Sequence, residues 1–331
     1  MTKNTWQKNT SLPDNATVLG ISGVKNNERG AGDLWICSPI GIFCEKNGQF
    51  TQPLDGLPFH GASAVLALGK DVLVAGYPNT LFRSPDGGKT WFSSRVEQIS
   101  SAVTCFAASP NFKADATVLA GSDGDGILRS SDGGNSWQLS NFGLGSLNIL
   151  SLSCAPVWKR EVASNSVVYT HEIIFAGTES GVYQSPNAGR AWRFAGAGLP
   201  QVPVLSIAVS PDFMRTSTPD GASFRGAVFA GTDGAGLHRS LDGCQSWQAL
   251  ALISTDAIIN ALFFDAQGVL YMGTGNHGIQ ASYDLGDTWN TLLETEAVIL
   301  CLAAHGSRLL AGTAEDGLLV FENGLFRDVS D

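Results

Sequence analysis

Apolar residues in this chain come in short runs separated by small polar turns, and the runs repeat. One recurring run ends in Ala-Gly-Thr or a close variant: VLVAG at 72–76, TVLAGS at 117–122, IIFAGT at 173–178, AVFAGT at 227–232, VLYMGT at 269–274 and RLLAGT at 308–313. A tight turn follows, then a second run such as LFRS at 81–84, ILRS at 127–130 or LHRS at 237–240. Ahead of each pair lies another apolar segment, for example AVTCFAAS at 102–109, VLSIAVS at 204–210 and VILCLAAH at 298–305. None of these runs shows helical periodicity, and their length and turn spacing predict strands.

Aligned on the residue that ends the Ala-Gly run, the copies fall at Cys37, Gly76, Gly121, Gly177, Gly231, Gly273 and Gly312. The period of roughly 40 to 55 residues suits a four-stranded propeller blade. The expected fold is therefore all-β, a single seven-bladed propeller over 1–331 with strands A to D in each blade. The blades are expected near 12–55, 60–98, 101–142, 147–196, 202–251, 256–293 and 296–331. Residues 5–11 (TWQKNTS) resemble a fourth strand that could close the ring, and the C-terminal LFRDVS at 325–330 competes for the same place.

After the third run comes a further motif, Ser-x-Asp-x-Gly-x-Ser/Thr-Trp. It is complete at 84–91, 130–137 and 282–289; Cys244 interrupts the copy at 240–247, and Asn187 and Ala191 replace the polar pair at 185–192. On these residues the chain resembles the BNR/Asp-box repeat propellers, a family that includes sialidases, xyloglucan hydrolases, sortilin-like receptors and photosystem II assembly factors. The resemblance covers nearly the whole chain and implies the fold; it says little of function. The box residues Asp86, Trp91, Asp132, Trp137, Asn187, Trp192, Asp242, Trp247, Asp284 and Trp289 are read as structural. The Asp would accept turn amides, the Gly supply a positive φ, and the Trp pack between blades.

Composition narrows the function classes. Of 331 residues 44% are apolar and 15% charged, which predicts a packed core. The longest strongly apolar stretch, near 297–304, is less than half of the ~20 residues a membrane helix needs. A net charge of −10 argues against nucleic acid, which needs a basic surface. The first twenty residues hold no apolar signal core, so a cytoplasmic location is expected. Six cysteines without Cys-x-x-Cys spacing suggest reduced thiols. No metal and no cofactor are expected.

Strand order puts the A–B and C–D connections on one face and the B–C turns and D–A crossovers on the other. The B–C turns carry Asp123, Asp125, Glu179, Asp233, Glu315 and Asp316, with Asn79, Asn276 and His277, and no Lys or Arg. Such a ring would focus a negative potential and favour a basic partner. Asp, Asn and Gly are also what hairpin turns prefer, so the same residues have a purely local reading. The crossovers on this face are partly apolar: Leu57, Pro58, Phe59 and His60, then Phe142 and Leu144, then Leu199, Pro200, Val202 and Pro203. On the opposite face three enlarged A–B loops (110–116, 156–171, 211–226) begin with similar aromatic anchors, Phe112, Trp158 and Phe213. Beyond the anchors, Lys159, Arg160, Met214, Arg215, Phe224 and Arg225 form a second candidate patch.

Catalysis finds little footing. The family's sialidases need an Arg trio, a Tyr–Glu pair and an F/Y-R-I-P motif; Phe82-Arg83-Ser84-Pro85 belongs to the repeat instead. The five His are scattered without a nucleophile context. The expectation is a non-catalytic scaffold that binds a protein, through a basic segment, at the acidic face. The alternative is a glycan-binding or glycoside-hydrolysing propeller using the same carboxylates.

Overall fold

The computed structural model describes all residues except 1–5, 14–15, 24–32, 47, 53–56, 58–60, 97–98, 157, 161–168, 219–220, 252–256 and 323–331. Seven antiparallel sheets of A-B-C-D order form the blades of a propeller. The four-strand core of blade three shows the pattern, with strands Val103–Ala108, Val118–Ser122, Ile127–Ser130 and Ser136–Leu139. The first strands of neighbouring blades touch one another in a closed ring, so they surround the central axis.

Blade seven completes its sheet with the other end of the chain. Trp6–Lys8 pairs antiparallel with Leu318–Glu322, Trp6 opposite Phe321, and the two rings stack at 5.2 Å. The competing segment at 325–330 lies outside the described residues.

Three repeat residues join blade to blade. The glycine of Ala-Gly-Thr leaves room for the next blade: a Cβ on Gly121 would meet Ile149, and one on Gly273 would meet Ile299. In blade two the pairings Val72 with Ser84, and Val118 with Ser130 in blade three, make Ala75 the counterpart of Gly121. The sequence alignment on Gly76 was one residue out, because blade two closes its turn differently, with Thr80 Oγ1 donating to the Gly76 carbonyl.

The second joint is the box turn. Asp86 Oδ1 accepts from the amides of Lys89 and Thr90, and its Oδ2 accepts from Thr90 Oγ1 at 2.6 Å. Hydrogen bonds from Thr90 hold the Asp86 carboxyl down to about 2, and Thr288 does the same for Asp284. Asp132 and Asp242 repeat the pattern, whereas Asn187 keeps the amide bond from Ala191 but has no hydroxyl to bind there. The glycine at the turn's fifth position packs under the preceding blade: Gly88 on Trp35, Gly134 on Leu73, Gly189 on Leu119. At that place blade five has Cys244, at φ +69° and buried against the preceding core.

The third joint is the arginine of the Arg-Ser dipeptide. Arg83 reaches Asn135, Arg129 the Ala188 carbonyl, and Arg239 both the Leu285 carbonyl and Asp287, always in the next box turn along the chain that its groove faces.

The A–B connections depart from a pure strand pattern. Residues Phe112–Asp115 form a single helical turn, where the sequence showed no helix; Ala116 ends it in the left-handed region and Asp115 is held by the Ser109 hydroxyl. Blades four and five carry hairpins there, Trp158–Arg160 with Tyr169–His171 and Met214–Thr218 with Gly221–Arg225. Phe213 is buried and meets Phe175 edge-on at 5.8 Å, an anchor for its loop. All six cysteines are free, and burial pushes the Cys44 and Cys105 thiols up to about 11. Among the described residues no helix is long and apolar enough to cross a membrane.

Candidate functional site

The B–C turns are built by the last residue of the Ala-Gly-Thr run. The hydroxyls of Ser122, Thr178, Thr232, Thr274 and Thr313 donate to the carbonyls of Gly126, Gly181, Gly236, Gly278 and Gly317. The same oxygens accept the amides of Asp125, Ser180, Ala235, His277 and Asp316. A hydroxyl that closes its own turn leaves little backbone freedom at the tip.

Six of the seven turns are then stitched to the mouth of the central axis; the blade-one turn begins with Pro39, which has no amide hydrogen to donate. In each of the six, the amide of the first residue donates to the carbonyl of the residue that enters strand A of the same blade. Tyr77 binds Gly61, Asp123 binds Ala102, Glu179 binds Asn148, Asp233 binds Pro203, Gly275 binds Ile258 and Ala314 binds Val298, at 3.0–3.4 Å. Asp123, Glu179 and Asp233 therefore hold one equivalent position on three consecutive blades. All three are exposed, as are Glu315 and Asp316 one and two positions further along the turn of blade seven. Among the described residues none of these five carboxylates lies in an ion pair.

Asp125 behaves differently. Its carboxylate accepts the amides of Ser100 and Ser101 at 2.8 and 2.7 Å and the Ser100 hydroxyl at 3.0 Å. Burial opposes ionisation, and these bonds outweigh it to hold the carboxyl below the usual range. The group pins the incoming crossover of its own blade. His277 is half-buried at its turn, with its amide on Thr274.

The remaining blades present apolar groups on the same face. Ile258 and Val298, the mouth residues of blades six and seven, are exposed, and so are Ile40 and Tyr77 in the turns of blades one and two. Beside Ile40 opens a depression of about 630 Å³ lined by Leu12, Pro13 and Phe43, whose rim residue Gln52 donates to the Ile40 carbonyl. The face is thus divided: a carboxylate arc over blades three to five and an apolar arc from blade six round to blade two, with Glu315 and Asp316 set into the latter. Leu147, exposed in blade four, accepts the amides of Gly124 and Gly126 and borders the acidic arc.

The crossovers contribute less to this face than the sequence led one to expect. Phe142 is highly exposed, but its carbonyl accepts the Trp192 amide, which puts it at the outer edge of blade four. Arg95–Val96 likewise runs parallel to Ser136–Leu139 as an extra outer strand of blade three. Each of these connections climbs the outside of the next blade before turning inward, a path that strand counting alone does not reveal. Leu199 packs into the core between blades four and five, and Leu57 into that between blades one and two. Pro58, Phe59 and His60 lie outside the described residues.

The second patch sits on the two A–B hairpins of adjacent blades. The side chains of Lys159, Arg160 and Arg215 lie outside the described set. Phe224 packs on Phe213 at 6.0 Å, Met214 is half-buried, and exposed Arg225 approaches Asp212 at 3.6 Å. Phe224 also lies against Gly243 of the blade-five box, so it anchors the hairpin to its blade.

No family model matches the sequence, and no curated protein matches it. Solved structures do resemble it in fold. A structure described as YCF48 bound to D1 peptide aligns over 99% of this chain and 98% of its own, with a TM-score of 0.67 and 15% identity. The WD40 propeller domain of Doa1 aligns over 97% of each chain at 0.66 and 11% identity. A GH74 enzyme from Niastella koreensis aligns over 95% of this chain at 0.62 and 16% identity, and the chain spans only 44% of that enzyme. At these identities the likeness is one of fold.

Proposed function

We propose that the protein is a rigid, non-catalytic platform that binds a protein segment on its B–C face. The segment would combine basic residues, held by the arc of Asp123, Glu179 and Asp233, with apolar residues seated around Ile258, Val298, Ile40 and Tyr77. The observation that carries this reading is the division of one face into exposed carboxylates, without ion-pair partners among the described residues, and exposed apolar groups. Monomeric surfaces seldom keep clustered apolar groups without use, and complementary charge steers a partner and fixes its register. A propeller of the same fold, YCF48, has been solved with a D1 peptide bound, which shows that such a frame can hold a peptide.

The carboxylate-pair reading, glycan cleavage, draws less support from the geometry. Asp123 and Asp125 share a turn, but Asp125 already spends its oxygens on the amides of Ser100 and Ser101. A group so held is a poor proton donor. The test is affinity capture from the native lysate with the wild type and with Asp123, Glu179 and Asp233 each changed to Lys. A stoichiometric protein lost with the charge-reversed variant supports the platform. Capture of the same protein by both moves the binding surface elsewhere.

A further inference from the structure

The opposite face holds a groove in which the repeat's own electrostatic logic is reversed. In blade five Arg239 donates to Asp287 of the blade-six box at 2.7 Å, and in blade two Arg83 is paired with Asp71 at 2.6 Å. Arg129 is their equivalent in blade three. Counted from the box Asp, Asp287 occupies the fourth place of its turn; counted from Asn187, the fourth place in blade four is Arg190. Where blade six offers a carboxylate to the neighbouring arginine, blade four offers a second guanidinium.

Between them lies a cavity of about 290 Å³, lined by Arg129, Arg190, Gln138, Ser131, Ser136 and Ser140. Arg129 is fixed by Nε donating to the Ala188 carbonyl at 2.8 Å and Nη2 donating to Thr117 Oγ1 at 3.2 Å. Arg190 uses Nη1 on the Asn187 carbonyl at 3.1 Å. These bonds leave Nη1 of Arg129, and Nε and Nη2 of Arg190, without a protein acceptor among the described residues. Neither arginine is within ion-pair distance of a described carboxylate. Asp115 and Glu172 stand nearby but are tied to each other, and Asp115 also takes the Ser109 hydroxyl and the Thr117 amide.

We propose that this groove between blades three and four binds a phosphoryl-type oxyanion, with Arg129 and Arg190 as its two cationic arms and Ser131 and Gln138 as neutral donors. Glu172 and Asp115 offset part of the charge of the two guanidiniums, but neither reaches them in an ion pair, so an anion in the cavity would still be drawn to both; planar forks suit bidentate contact with phosphoryl oxygens. Donors from two blades suit a tetrahedral group better than a flat carboxylate. The site lies on the box face, away from the proposed platform, and does not depend on that reading.

The test uses the full chain, with inorganic phosphate titrated calorimetrically against sodium chloride of equal ionic strength. Arg190→Gln removes one arm at an exposed position, and Arg190→Asp recreates the arginine–aspartate pairing of blades five and six. The wild type should bind phosphate saturably, Arg190→Gln should bind at least tenfold more weakly, and Arg190→Asp should not bind while keeping the thermal midpoint of the wild type or higher. A peptide with one phosphoserine between neutral flanks distinguishes the sources: tighter binding than phosphate assigns the site to a phosphorylated partner, and equal binding to the free anion, each with loss in Arg190→Gln. No saturable phosphate heat in the wild type overturns the proposal. So does phosphate binding undiminished in both variants, which would mark an adventitious ion only.

Discussion

Arg308 in blade seven grips Glu45 in blade one through two parallel hydrogen bonds, Nη1 to Oε1 and Nη2 to Oε2, both 2.7 Å. The pair spans the seam where the ring closes, and both side chains are largely buried. The bond from Arg308, against an opposing effect of burial, holds the Glu45 carboxyl below its ordinary range. A carboxyl lowered on folding contributes stability that is present above its unfolded pKa and is lost as pH falls through the folded value.

Glu45→Gln should therefore destabilise the protein by about 2 kcal/mol at neutral pH, since it leaves a buried guanidinium without its counterion. The gap from the wild type should shrink once pH falls below about 4, where the unfolded chain takes up its proton, and close as pH passes through the lower folded value. Denaturant melts at pH 7 and pH 3 check both statements. Equal stability at pH 7 would show that the seam does not rely on this pair.

Two glycines in the left-handed region, one inside a box and one outside, separate backbone cost from packing cost. Gly134 (φ +89°) lies on Leu73 of the preceding blade, whereas Gly198 (φ +92°) faces open space. Alanine at either place meets the same left-handed strain, of the order of 1 kcal/mol. Gly134→Ala must also push Leu73 out of its seat, and should lose about 1 to 3 kcal/mol more than Gly198→Ala. Similar losses in the two thermal melts would mean that the joint between blades two and three is loose.

Glu172 offers a pH dependence of the opposite sign. Burial first, then the hydrogen bond and charge of Asp115, push its carboxyl above the ordinary range. Its proton is bound more tightly in the folded state, so the benefit is full below the unfolded pKa and is lost as pH rises through the folded value. Glu172→Gln keeps a donor toward Asp115 but does not titrate. The variant should melt higher than the wild type at pH 7 and level with it near pH 4. Parallel melting curves across that range would contradict the carboxyl–carboxylate contact.

Much of this fold is written locally. The Thr of Ala-Gly-Thr closes its turn within five residues, and the box Asp closes its own within four, so both are readable from one repeat. The partners of Arg83, Arg129 and Arg239 are not, because they lie 46 to 59 residues away in another blade's turn. Closure by Trp6–Lys8 was visible as a resemblance to a D strand, yet only pairing with Leu318–Glu322 decides it. The acidic turns were legible as a set, but not that Asp125 would turn back on Ser100 and Ser101. Arg190 is illegible for a simpler reason: it sits in the degenerate box, whose changes at Asn187 and Ala191 look like loss of a motif rather than gain of a charge.

The proposed platform has Asp123, Glu179 and Asp233 acting together on the side of a divided face that receives the partner's cations. The most direct measurement is fluorescence anisotropy of labelled peptides of matched length, one mixing Lys/Arg with Leu/Phe, one only basic and one only apolar. Each is titrated with the wild type and with Asp123→Lys/Glu179→Lys/Asp233→Lys at low and high salt. The mixed peptide should bind tightest, lose at least tenfold in affinity in the triple variant, and weaken with salt in the wild type alone. Equal affinity of the mixed peptide for both proteins, or salt-independent binding to the wild type, would rule out the carboxylate arc as the seat of the cationic residues.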